Sequence, residues 1–298
     1  MAQILGKKIA RIFSVFAAAL FIFGAAFLFT ACETNHPKIK MTIEFNDETY
    51  ELSYKLYRNM YPNTVAHYIE LIDMKFFDNT VIHDYSSSAT NGKGQGFYGG
   101  YYYMAQDDDE KMTALEYEEK IAEKYGDTTL KNISVWADEG KQNPLNYLCG
   151  EFADNGFKVE NNGLTHRKGS ISTAYYMENS ATDLVYTKLA GGAGKHYKYN
   201  STTSGFFVSS TSNSSLDSSY CTFGILSGSK SETRFDELLK AIDDYIDEQT
   251  ELDEDYSFTE EQEYTVEGND YVGDTTLVFN VPKSEGRITI KKVVVTQY

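Results

Sequence analysis

The stretch that most constrains the fold runs from Lys38 to Tyr57, "KIKMTIEF" followed by "ETYELSYKLY". Apolar and polar side chains alternate on both sides of a break at Asn46, Asp47 and Glu48, the pattern of two antiparallel strands that each bury one face. The same signature closes the chain in "TTLVFNVP" and "GRITIKKVVVTQY". Between these ends lie two amphipathic helices. In "YPNTVAHYIELIDMKFF" Pro62 suits a first turn, and Val65, Ile69, Ile72 and Phe76 share a face. In "TRFDELLKAIDDYIDE" the apolar side carries Phe235, Leu238, Leu239, Ile242 and Ile246. Many strands with two well-separated helices predict a mainly β fold, a closed antiparallel barrel with helices over its ends.

The amino terminus does not belong to that pattern. Lys7, Lys8 and Arg11 precede the uncharged run "IFSVFAAALFIFGAAFLFTAC", which reads as an export signal over residues 1–31. Leu28, Phe29, Thr30 and Ala31 before Cys32 resemble a bacterial lipobox, although Phe29 departs from the usual aliphatic residue. The resemblance implies a lipid on Cys32, a short tether over 32–38 and one domain over 39–298 on the extracytoplasmic face of the cell membrane. An uncleaved signal anchor is the alternative, since about 18 apolar residues can span a bilayer. Both place the domain outside the cytoplasm and against a membrane.

Without the three basic residues of the leader, the net charge of −17 becomes −20. Such a surface repels phosphate backbones and disfavours nucleic-acid binding. Once Cys32 is modified, Cys149 and Cys221 remain, either as one disulfide or as two buried thiols. Five scattered histidines, with no pair at ligand spacing, give no reason to expect a metal, and no cofactor is expected. Gly94-x-Gly96-x-x-Gly99 satisfies a dinucleotide fingerprint, but a polar loop precedes it and "GYYYM" follows. "AGGAGKH" has a misplaced glycine and His196 where a hydroxyl belongs, so neither motif reads as a phosphate site. Three segments look inserted: about 105–140, charged and expected to carry an exposed helix; 178–203, rich in Gly, Ser and Tyr; and 247–270, read as acidic loop.

Two longer stretches carry a family likeness. "GEFADNGFKVENNGLTHRKGSISTA" and "TSGFFVSSTSNSSLDSSYCTFGILSG" resemble, in order, two signature segments of the cyclophilin-type peptidyl-prolyl cis/trans isomerases. "NTVAHYIELIDMKFFDNTVIHDY" is similar to the segment that places the family's first helix and the strand after it. The likeness covers roughly 39–297, interrupted by the insertions. It implies a closed eight-stranded antiparallel β-barrel capped by two helices, with inserted loops and an extra helix, that binds proline-containing segments in a groove on its outer face. The implied reaction is rotation about the prolyl amide, whose barrier is about 18–20 kcal/mol. The family lowers it with an arginine and a glutamine that donate hydrogen bonds, and with an apolar pocket for the ring.

Carried over residue by residue, the resemblance keeps the pocket and loses the donors. The arginine position is Asp84, an acceptor of the wrong charge, expected to point into the groove. His83 takes a structural histidine's place. The two glutamine positions are Tyr98 and Gly205. Phe207 and Ala174 match the family's Phe and Ala, and Tyr175 stands for its Asn. Ser215 replaces a tryptophan common before Leu216 and Asp217, and Tyr220 replaces a histidine. Lys93, Tyr85 or Tyr98 are the candidates for a substitute donor. The expectation is a membrane-anchored monomer acting on exported polypeptides with weak or altered isomerase activity. The alternative is a non-catalytic module, a chaperone or a cell-surface binder, that uses the degenerate groove and the Tyr-rich insertions.

Overall fold

The computed structural model describes residues 34–86, 96–100, 102–105, 108–114, 121–123, 126, 129–158, 163–174, 184–187, 194–196, 201–266 and 275–298. Cys32, Lys93, Tyr175 and most of 178–203 lie outside the described residues. In chain order the first half contains β1 (Lys38–Phe45), β2 (Glu48–Leu56), helix α1 (Pro62–Asp73), β3 (Thr80–Val81), β4 (Asp84–Ser86), β5 (Gly96–Gly99), β6 (Tyr102–Ala105), β7 (Asp108–Ala114), β8 (Val135–Trp136), β9 (Pro144–Leu145) and β10 (Leu148–Cys149). There follow β11 (Ile171–Thr173), β12 (Leu184–Thr187), β13 (Gly194–His196), β14 (Ser201–Thr202), β15 (Phe206–Ser209), β16 (Thr222–Leu226), helix α2 (Ser229–Leu252), β17 (Thr259–Val266), β18 (Thr275–Pro282) and β19 (Thr289–Gln297).

The alternation in β1 becomes a strict rhythm of burial, with Ile39, Met41, Ile43 and Phe45 inside. β1 and β2 pair in unbroken register from Lys38 with Lys55 to Phe45 with Glu48. Asn46 and Asp47 both have positive φ (48° and 60°), as the two-residue turn matching the twist of a hairpin requires. From this hairpin an antiparallel sheet curls through the order β4-β5-β15-β11-β16-β2-β1-β19-β3-β6-β7. β3 and β4 belong to one extended segment, 80–86, which bonds to both flanks: the Ile82 N–H donates to Ile288 O and the His83 N–H to Tyr98 O. Counting that segment once, eight stretches of chain run from β4 round to β3. β6 and β7 add a pair of strands that runs from just before the expected insertion into it.

α1 is buried on more sides than one apolar face explains: Thr64, His67 and Glu70 are inside along with Val65, Ile69 and Ile72. Three separate segments cover it: Glu151 meets Thr64, the Thr203 carbonyl lies 2.6 Å from His67 Nε2, and the insertion meets Glu70. The Glu70 carboxylate accepts the N–H groups of Lys131 and Asn132, at 3.0 and 3.2 Å, and ties that segment across the helix. Ile121, expected on an exposed helix, is helical at 121–123 and packs into the main core. α2 buries Phe235, Leu238 and Ile242 in the same core and keeps its acidic side in solvent.

The third insertion departs from the acidic-loop reading. α2 continues to Leu252, and β17 and β18 form a hairpin in continuous register from Thr259 with Pro282 to Val266 with Thr275. Its strand pattern was masked because β17, "TEEQEYTV", has glutamates where alternation would show apolar residues. Cys149 and Cys221 are both buried thiols, not joined to each other as a disulfide.

Candidate functional site

Register fixes which side chains can meet. Across β4, β5, β15 and β11, Asp84 lies opposite Tyr98, Tyr98 opposite Phe207, and Phe207 opposite Ser172. Thr222 on β16 continues the row beyond Ser172. The neighbouring row, Tyr85, Phe97, Val208 and Ile171, belongs to the main core. Successive residues of a strand point to opposite faces, so the row from Asp84 to Thr222 is the outer face of the curled sheet.

On that face Tyr98, Ala174, Phe207, Leu216 and Tyr220 form a hydrophobic cluster separate from the core, each between 1 and 7% exposed. These are five of the groove residues expected from sequence, brought together from four strands and loops. Tyr98 stacks on Phe207 with ring centres 5.0 Å apart, and Tyr220 meets Phe207 edge-on at 5.2 Å. Each such pair contributes about 0.5–1.5 kcal/mol beyond its burial. The side chains that the resemblance assigns to a proline pocket are therefore packed on one another, with Tyr98, aligned with a glutamine, over Phe207.

Asp84 sits on this face but does not reach into open solvent. It is 3% exposed, and its Oδ1 accepts the N–H of Asn280 on β18 at 3.3 Å. His83 is fully buried and meets the ring of Phe279 edge-on at 4.6 Å. The β17–β18 hairpin thus lies against β4 at Asp84, the residue that the resemblance aligns with the family's arginine. An acceptor there matches a strand N–H; a guanidinium, which only donates, would not.

The other expected positions are equally specific. Gly205 offers its carbonyl to the Tyr68 hydroxyl and to the Ala174 N–H, the latter at 2.9 Å. Gly99 and Gly100 carry β5 past β15: Gly100 has φ +99°, and a Cβ there would stand 2.4 Å from Ser204 O, so the pair admits no side chain without displacement. Ser215, which the resemblance aligns with a tryptophan, is exposed and donates its hydroxyl to Asn213 Oδ1 at 2.6 Å. Tyr85, weighed as a substitute donor, belongs to the core row, and burial pushes its hydroxyl up to about 12. Tyr175 and Lys93 fall outside the described residues.

Two features of the site were not singled out in the sequence. Beside Phe207 runs a polar chain: Asp217 Oδ1 accepts the N–H and the ring Nδ1–H of His166, both at 2.8 Å, and His166 Nε2 lies 3.0 Å from Thr222 Oγ1. Thr222 Oγ1 is in turn 3.0 Å from Ser172 Oγ. Burial lowers the His166 pKa against the pull of Asp217, so the ring is neutral at physiological pH, with the proton on Nδ1 and Nε2 accepting from Thr222. The chain holds the imidazole flat against Phe207, centres 5.7 Å apart. Its only legible signal was His166 within "LTHRKG". The second feature is Glu151, fully buried, which accepts from Asn63 N, Asn63 Nδ2 and Thr64 N at 3.2, 2.8 and 2.8 Å. It supplies the acceptor that Tyr61, the residue capping α1, lacks. Among the described residues no group of His, Cys, Asp or Glu is arranged to hold a metal ion.

The family model for cyclophilin type peptidyl-prolyl cis-trans isomerases matches residues 40–254. None of the curated proteins matches the chain. Among solved structures, a Cryptosporidium parvum cyclophilin type peptidyl-prolyl cis-trans isomerase is 14% identical, with a TM-score of 0.39 over 88% of this chain and 99% of that one. A second structure from Cryptosporidium parvum, determined in the presence of the dipeptide Ala-Pro, has a TM-score of 0.41 at the same identity and coverage. The family match spans well over half of the chain, from β1 through α2, and takes in every described position of the outer-face row: the chain belongs to the cyclophilin type peptidyl-prolyl cis-trans isomerase family.

Proposed function

We propose that this protein is a membrane-anchored, extracytoplasmic cyclophilin that binds proline-containing segments of exported polypeptides and rotates their prolyl bonds weakly. The leader and the lipobox-like sequence before Cys32 support the anchor. The observation that carries the reading of the site is the contact between Asp84 and Asn280. Where the family's chemistry needs a donor aimed at the twisting amide, this chain has a carboxylate already engaged by the backbone of β18. With Gly205, which has no side chain, in the second glutamine position and Tyr98 stacked on a Phe207 that is 1% exposed, the described residues offer neither the two aligned donors nor an open ring pocket. Losing one preorganised donor costs about a hundredfold to a thousandfold in rate. The same observation favours a second reading, in which the protein holds chains without turning them over.

A prolyl isomerisation assay on residues 33–298 tests the proposal. The expected rate lies at least a hundredfold below that of an arginine-bearing family member. A rate equal to such a member's would refute the weak-site reading, and no rate with measurable peptide binding would select the purely binding one. Metabolic labelling with a fatty acid tests the anchor, which fails if a Cys32→Ala form is still lipidated.

A further inference from the structure

Tyr220 belongs to two neighbourhoods. It packs against Phe207 in the outer-face cluster, and it also lines an open cleft of about 350 Å³. That volume is near the lower end of the roughly 300–1,000 Å³ usual for ligand sites. Tyr61, Phe152, Phe157 and Tyr220 give the cleft aromatic walls, and its charges are the carboxylates of Glu151 and Asp217. No basic side chain is among the described residues that line it.

The two carboxylates differ in what they have left to offer. Both oxygens of Glu151 accept N–H groups at the start of α1. Asp217 makes both of its bonds to His166 through Oδ1, and its side chain is 28% exposed, which leaves Oδ2 outside those bonds and within reach of a ligand. Aromatic faces attract ammonium and guanidinium groups, and a carboxylate among them adds a charge-assisted hydrogen bond. An anionic occupant would meet those carboxylates and the field of a chain carrying −17 charges.

The geometry points to this cleft as the site for a lysine or arginine side chain of a bound polypeptide. It rests on the reading that the protein binds polypeptides, and it moves selectivity from the proline ring, whose pocket residues are packed together, to a basic residue one ring away, across Tyr220. The side chain enters with its stem along the aromatic walls and its charge against Asp217.

The test is fluorescence anisotropy with two labelled, unstructured peptides that differ in one residue, arginine or citrulline, and carry no other charge. Citrulline keeps the shape and removes the charge. The arginine peptide should bind about tenfold more tightly, with a gap that narrows as salt is added. Asp217→Asn keeps an Oδ1 acceptor for His166 and should abolish the preference. Ser218→Lys, at an exposed position on the rim, should abolish it too by placing the protein's own ammonium in the cleft. Equal affinities for wild type would overturn the cleft assignment and leave polypeptide binding standing. n-Butylguanidinium titrated alone separates the two ideas. Asp217-dependent binding of this cation without binding of either peptide would keep the cleft as a cation site and sink the polypeptide reading. Binding of neither probe would overturn both.

Discussion

Replacing Asp84 by arginine supplies the side chain that the resemblance assigns to this position, and the structure predicts that the rate will not follow. A single well-aimed donor is worth about a hundredfold to a thousandfold when the rest of the site is in place. Here the rest is not in place. The new guanidinium would have to reach an amide seated over Phe207, but that ring is 1% exposed under the stacked Tyr98. A second donor is missing at Gly205. The substitution also removes the acceptor for Asn280 N–H and puts a cation into a position that is 3% exposed against β18. Leaving that N–H unsatisfied costs about 1–3 kcal/mol, and the unpaired buried charge adds to it unless the hairpin moves away. The expected outcome for Asp84→Arg is less than about a tenfold gain in isomerisation with a stability loss of about 2–4 kcal/mol. Adding Tyr98→Gln, which uncovers Phe207 and returns the glutamine, should give the larger gain. Prolyl isomerisation rates and urea unfolding of residues 33–298 read both quantities. A hundredfold gain from Asp84→Arg alone, at unchanged stability, would show that the pocket is open and this reasoning wrong.

Glu151→Ala removes three accepted hydrogen bonds at the start of α1 and should cost about 2–4 kcal/mol in urea unfolding, above the usual range for a single cap. Burial raises the Glu151 pKa above its ordinary 4.5, with the N–H groups of Thr64 and Asn63 opposing. The folded chain then holds that proton to higher pH than the unfolded one, so the group's stabilising contribution is complete below 4.5 and lost as pH rises through the raised value. Relative to Glu151→Gln, wild type should lose stability across that window; a constant difference would contradict the assignment. Cys149 and Cys221 should resist thiol reagents in the native state and react fully in urea, because both are buried and burial pushes the Cys221 thiol well above its usual value. Rapid native labelling of either would show that the region around α1 and β10 opens.

What could be read from the chain was what local periodicity and long motifs encode. β1 was legible to the residue and β2 to within one, at Tyr57, because each buries one face, and a period of two survives in the sequence of any strand that does so. The family likeness located Phe207, Ala174, Leu216, Tyr220, Tyr98 and Asp84 before their register was known, and the structure brings the first five into one cluster. β17 was not legible: much of its glutamate-rich length faces water, so nothing in its composition marked it as a strand. Glu151 and Glu70 were invisible for a different reason. A carboxylate that serves N–H groups about 60 to 90 residues away leaves no local trace.

The sequence by itself determined the family and, through the resemblance, which residues align with its arginine and glutamine positions: Asp84, Tyr98 and Gly205. Those follow from residue types at fixed places in motifs. Only the tertiary structure decided what these positions do: Asp84 accepts a hydrogen bond from β18, Tyr98 stacks on Phe207, and an open cleft lies on the other side of Tyr220. Each of these depends on contacts between segments far apart in the chain. The free energy that selects them comes from surfaces meeting in three dimensions, which no pattern along one strand records.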